Sequence, residues 1–222
     1  MTEIAFSEVN GMGLESNKTL GGIGAILMAI GFLGFFGSAY VGFLVLVGAI
    51  LVLIALKGFA DQYQEGGIFN NALYGFITVI IGAVATAAIF IVLVLQMLAT
   101  IEIYWTNPIA VQQYFMDNLN AIWSLAAGAI AAWVVFFIFM VASAVLVRKS
   151  LNSLSEKSGE KIFGTAGLLW LIGAVLSIIL IGFIVVWISW ILIAVGFFSI
   201  KAASVQPMPV QPAPPPPPQP PQ

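Results

Sequence analysis

Apolar residues in this chain do not alternate with polar ones; they run together in four long blocks separated by short polar stretches. The first block, Thr19 to Leu56, and the last, Phe163 to Ile200, each hold 38 residues without a single Asp, Glu, Lys, Arg or His. One helix of that length would reach about 57 Å at about 1.5 Å per residue, against a hydrocarbon core of about 30 Å. Each block is therefore expected to be a helical hairpin. The turns are placed near Gly37–Tyr40 and near Ile181–Phe183, where glycine and small residues interrupt the apolar run. The middle blocks, Phe69 to Thr100 and Leu119 to Val147, each fit one tilted span and are too short for two spans and a turn. The pattern thus predicts an all-α membrane protein of six transmembrane helices, with two tight hairpins flanking two longer single spans. The spans are expected over about 19–36, 39–56, 69–99, 119–147, 163–180 and 183–200, between a polar segment at 1–18 and a proline-rich tail at 202–222.

The charged positions test this threading independently of length. With six spans, all seven basic residues, Lys18, Lys57, Arg148, Lys149, Lys157, Lys161 and Lys201, fall on one face, and the opposite face carries only Glu102 and Asp117. A single span in the first block would separate Lys18 from Lys57. The positive-inside tendency makes the basic face cytoplasmic, so both termini are expected in the cytoplasm and the protein in the cell membrane. The first block also follows Glu3, Glu8, Glu15 and Lys18, unlike a secretory signal with its basic start and cleavage site. That span is expected to remain in the mature protein.

Composition narrows the chemistry. The chain is 61% hydrophobic and 7% charged, where soluble domains carry about a quarter charged residues. It contains no His and no Cys, which removes the usual ligands of zinc, haem, copper and iron-sulfur clusters and any thiol nucleophile. No metal, cofactor or catalytic residue is expected. A net charge of -2 without a basic cluster gives no footprint for nucleic acid. The polar side chains within the spans, Thr78, Thr86, Gln96, Ser124, Ser143, Ser177 and Ser189, are expected to bond to backbone carbonyls or neighbouring helices. Proton-coupled transport normally shows an intramembrane carboxylate or histidine, and a serine nucleophile needs a base at its own depth. Neither is present, so the protein is not expected to be an enzyme. Of the scattered acids Asp61, Glu65, Glu102 and Asp117, only Asp61 and Glu65 could share a helical face, and a solvated pair is the expectation.

Small residues recur at helix-contact spacing: Gly21 and Gly24, Gly31 and Gly34, Gly128 and Ala132, Ala127 and Ala131. They predict close helix packing, within the chain or in a homo-oligomer. The stretch Ile101 to Asn118 reads as a loop, with Asn107-Pro108 as a turn signal and Tyr104, Trp105, Tyr114 and Phe115 as interfacial anchors. Arg148 to Lys161 reads as a solvated loop, or as a short surface helix through Leu151 and Leu154. The tail, with five consecutive prolines at 214–218, predicts an extended polyproline II arm, either a spacer or a ligand for a cytoplasmic protein. Membrane lipids are the remaining partner.

Two resemblances complete the reading. Leu20-Gly21-Gly22-Ile23-Gly24 is similar to Phe163-Gly164-Thr165-Ala166-Gly167, and Val41-Gly42-Phe43 to Ile181-Gly182-Phe183, as a duplicated hairpin or two glycine-rich hairpins of independent origin. The segments 15–20, 68–75, 157–159 with 163–167, and 196–199 resemble an archaeal family of multi-pass membrane proteins, domain of unknown function 996, over about Glu15 to Lys201. The resemblance implies an archaeal cell membrane and brings no activity or site residue. The expected function is a non-enzymatic structural, scaffolding or assembly component. The alternative is a passive or facilitated transporter or channel for a small neutral or lipidic molecule, marked by a polar passage through residues such as Thr78, Gln96 and Ser124.

Overall fold

The computed structural model describes residues 2–34, 39–104 and 107–201. The chain forms α1 (Thr2–Gly34), α2 (Ala39–Gln62), α3 (Gly66–Tyr104), α4 (Pro108–Asp117), α5 (Leu119–Ser158), α6 (Lys161–Leu176), a 3-10 turn at Ser177–Ile179, and α7 (Gly182–Ser199). Six of these helices are long and apolar enough to cross a membrane, and the described residues contain no strand. The expected number of membrane-length helices, six, is therefore found. The second hairpin turns at Leu180 and Ile181, within a residue or two of the expected place, whereas the first turn and the proline tail fall outside the described residues.

Two connections differ from the expectation. Arg148 to Lys161 is almost entirely helix: α5 runs on to Ser158, and only Gly159 and Glu160 separate it from α6. Leu151 and Leu154 are buried rather than solvated, so packing carries the helix past its charged residues. Gly159 ends it at φ 77, with its N–H donating to the Ser155 carbonyl, a left-handed conformation that glycine adopts without steric penalty. Between α3 and α5 the expected loop contains α4. Asn107, expected as a turn residue, caps that helix. Its Oδ1 accepts from the N–H groups of Ile109 and Ala110 at 3.1 and 3.3 Å, and Pro108 occupies the first turn.

The long helices pack in the order α1, α2, α3, α5, α6, α7, and α7 returns to α1 to close a ring. Small residues set the close contacts. Gly24 meets Gly48 between α1 and α2, Gly75 meets Val147 and Gly82 meets Phe139 between α3 and α5, Gly167 meets Arg148 and Leu151, and Gly21 meets Phe197. At the lysine-bearing end the ring is filled by fully buried Phe59, Phe163 and Phe197, with ring centroids 5.9 Å apart for Phe59–Phe197 and 5.1 Å for Phe163–Phe197. Trp190 continues this column, edge-on to Trp170 at 4.5 Å. Offset and edge-to-face pairs of this kind add to the area they bury.

Burial fades toward the other end. In the most apolar 18 residues of α3 only 6% are buried, against 44% in α7. Length explains the difference: α3 has 39 residues and α5 has 40, while α6 has 16 and α7 has 18. At about 1.5 Å per residue, α3 and α5 reach about 60 Å and α6 and α7 about 24–27 Å. The α3–α5 hairpin therefore overreaches its neighbours at the far end.

Candidate functional site: the lysine-bearing end

The connection from α2 to α3 is held by backbone bonds from Tyr63 N to Phe59 O and from Glu65 N to Ala60 O, both 2.9 Å. Gln64 between them takes a left-handed φ of 52. This places Glu65 beside α5, where Lys157 pairs with it at 3.6 Å. Deeper in, the buried Ser150 hydroxyl donates to the Ile68 carbonyl. These contacts tie the C-terminal turns of α5 to the start of α3. Lys57 pairs with Asp61 at 2.7 Å and lies 5.7 Å from the Phe69 ring centroid, and Lys18 pairs with Glu15 at 2.9 Å. Tyr63 stacks on Phe59 at 6.1 Å, and burial pushes its phenol above the usual value.

Asp61 and Glu65 do not share a helical face: α2 ends at Gln62, and each acid turns to a different lysine. Asp117 lies at the end of α4, at the far end of the fold, and the Glu102 side chain lies outside the described residues. Among the described residues no three metal-ligating side chains converge.

Four of the hydroxyls in the spans bond to backbone. Thr78 donates to Tyr74 O, Ser124 to Ala121 O and Ser177 to Ala174 O, each at 2.7–2.8 Å, within one helix. Ser189 donates across to Ala166 O at 2.7 Å and so joins α7 to α6. Thr86 Oγ1 is buried without a partner. Thr78 and Gln96, both on α3, are separated by 18 residues, about 27 Å of helix, so they occupy different levels of the fold. Two contacts had no signal in the sequence: Ser150 to Ile68, and Trp187 Nε1 to the Ala29 carbonyl at 3.0 Å. Only the tertiary fold brings residues 82 and 158 positions apart to one place.

A wholly apolar groove of about 380 Å³ runs between α1 and α7, lined by residues that include Ile30, Leu33, Trp187 and Phe198. A second lies between α2 and α3, walled by Ile50, Ile54, Phe69 and Leu73.

A family described as protein of unknown function (DUF996) matches residues 44–191, about two thirds of the chain. The chain belongs to this family. It is also 29% identical to the uncharacterized protein MJ1644 of Methanocaldococcus jannaschii over 189 residues, covering 85% of this chain and 94% of that protein. No solved structure matches. Within the DUF996 match, two of the junctions that carry the resemblance lie in this site: Ile68 accepts from Ser150, and Lys157 pairs with Glu65. In this DUF996 chain they serve to lock one helix junction onto another.

Proposed function

We propose that this DUF996 protein is a non-catalytic component of an archaeal cell membrane that presents its lysine-bearing end, on the cytoplasmic side, as a rigid platform for assembly. The supporting observation is the contrast between its two ends. One is packed with buried aromatics and tied by the Ser150–Ile68 and Glu65–Lys157 contacts, whereas along the spans the Thr78 and Ser177 hydroxyls are already bonded to backbone. The proline tail, directly after this end, is the element that would reach a partner. A second reading rests on the α1–α7 groove: it fits a lipidic molecule, and the protein would then bind or carry one.

The deciding experiment isolates the protein in native lipid discs, with and without the residues after Lys201, and identifies stoichiometric companions by mass spectrometry. A protein companion lost with the tail supports the platform. A lipid or small molecule retained by both forms, without a protein companion, overturns it in favour of the groove.

A further inference from the structure

The turn between α6 and α7 contains nothing suited to water. Ile178, Ile179, Leu180 and Ile181 are 57–63% exposed, and Ser177, the one polar side chain there, is buried and bonded to Ala174 O. Four of the turn's N–H groups are answered locally: Leu180 donates to Ser177 O, Ile181 to Ile179 O, Phe183 to Leu180 O and Ile184 to Ile181 O, at 2.8–3.2 Å. Leu180 takes a left-handed φ of 65, a position where a water-facing turn favours Gly or Asn. Backbone N–H groups held in hydrocarbon need internal acceptors of this kind.

The polar residues of this end lie elsewhere. Asn107, Gln112, Gln113, Asp117, Asn118 and Asn120 are exposed at the tip of the α3–α5 hairpin. Phe183, at the start of α7, meets Trp133 of α5 at 5.9 Å, so the α6–α7 turn stands level with a point 15 residues short of Asn118, about 20 Å along the helix. If that turn sat at the headgroups, those 20 Å of hairpin would stand in water with Ile91, Leu95 and Ile130 58–64% exposed.

We propose that the α6–α7 turn remains inside the hydrocarbon, docked among the lipid chains of the far leaflet, and that the α3–α5 tip is what meets water beside it. To bring the uncharged stretch from Phe69 to Thr100, about 48 Å long, within a core of about 30 Å, the hairpin must lean by up to about 50°. That lean leaves the turn roughly 10 Å or more beneath the surface at which the tip emerges. The α6–α7 hairpin then enters and returns from the lysine-bearing side without moving any polar loop across the membrane.

The absence of native cysteine makes the test direct. The variants I179C and Q113C are reconstituted in sealed vesicles, exposed to a membrane-impermeant maleimide from each side, and then spin-labelled for depth by oxygen against nickel-chelate collision. Q113C is expected to react from one side, with I179C unreactive from both sides and its label about 10 Å or more deep. Reaction of I179C from the Q113C side at a comparable rate overturns the proposal, as does a Q113C that reacts from neither side. L180N provides a second reading: it relieves the left-handed strain and raises the melting temperature if the turn is wet, which would overturn the proposal, and lowers it if the turn is in hydrocarbon.

Discussion

Gly24→Ala is the most discriminating substitution the packing suggests, because two opposing effects of similar size act on it. A Cβ at Gly24 would lie 2.8 Å from the Gly48 carbonyl oxygen and 2.9 Å from Val52 N, where ordinary contact begins at 3.4 Å. Both obstacles are backbone, so no rotamer can relieve them and α1 and α2 must part by about half an ångström. A gap of that size forfeits roughly a quarter of the dispersion energy along the seam, and overpacking of this kind destabilises by about 1–3 kcal/mol. Against this, alanine gains about 1 kcal/mol over glycine in a helix interior. At the middle of these ranges the clash wins by about 1 kcal/mol, lowering the melting temperature by roughly 2–4 °C for a chain of this size. Gly13→Ala is the control: it lies in the same helix with nothing within 4 Å of its Cβ, and should leave the melting temperature unchanged or raise it. The assay is thermal unfolding of both variants in the same detergent. A Gly24→Ala protein that melts at or above the parent would show that α1 and α2 are not in backbone contact at Gly48, and the argument for this seam would fail.

Ser150→Ala removes the donor to the buried Ile68 carbonyl and should cost about 1–3 kcal/mol through the unanswered acceptor; an unchanged denaturation midpoint would deny that this bond secures the helix junction. Lys157→Gln should move the same midpoint by less than about 1 kcal/mol, because its pairing with Glu65 is solvent-exposed and screened; a larger loss would mean that the pair is buried in the native assembly. The raised value of the Tyr63 phenol implies that the folded state holds its proton more tightly than the unfolded chain does. Its stabilising effect is complete below about pH 10, the ordinary phenol value, and is lost as pH rises through the folded value. Melting curves taken from pH 9 to 11 should show a decline that Tyr63→Phe reduces, and equal declines in both proteins would refute the assignment.

The six helices and the second hairpin turn were legible because each follows from one quantity, the length of an uncharged run against the thickness of a membrane. The end of α5 was not legible in that way. Arg148, Lys149, Glu156 and Lys157 look like a loop to any reading of polarity, but Ser150, Leu151 and Leu154 face inward between them, so the helix continues on a narrow apolar face that only its neighbours reveal. Spacing predicts the glycines as contact points without naming their partners: Gly21 receives a phenylalanine ring, Gly24 a backbone and Gly128 the flexible end of Leu93. Spacing alone cannot separate these cases, although they predict different penalties for the same substitution. The hydroxyls that would mark a polar passage in the alternative reading, those of Thr78 and Ser124, each close on a carbonyl of their own helix.

The two hairpins also share a spacing of contacts, in a register one residue away from that of the segment likeness, which sets Gly24 against Gly167. In the first, Gly24 meets Gly48 and Gly31 meets Val45; in the second, Ala166 receives the Ser189 hydroxyl and Gly173 meets Val186. The contacts are seven residues apart on the first helix of each hairpin, 24 to 31 and 166 to 173, and three apart on the second, 45 to 48 and 186 to 189. The same crossing is therefore made twice by different means, once by two glycines in backbone contact and once by an alanine bridged through a serine hydroxyl. Because the contact spacing is shared and the chemistry is not, the crossing geometry is the feature the two hairpins have in common. It follows that Ser189→Gly, which removes the bridging bond and opens space, should loosen the second crossing, whereas Gly48→Ser should fail at the first, where a Cβ would already lie 2.6 Å from the Gly24 carbonyl oxygen. Opposite packing errors at equivalent positions, both lowering the melting temperature, are what a shared crossing requires; a Gly48→Ser protein as stable as the parent would sink the equivalence.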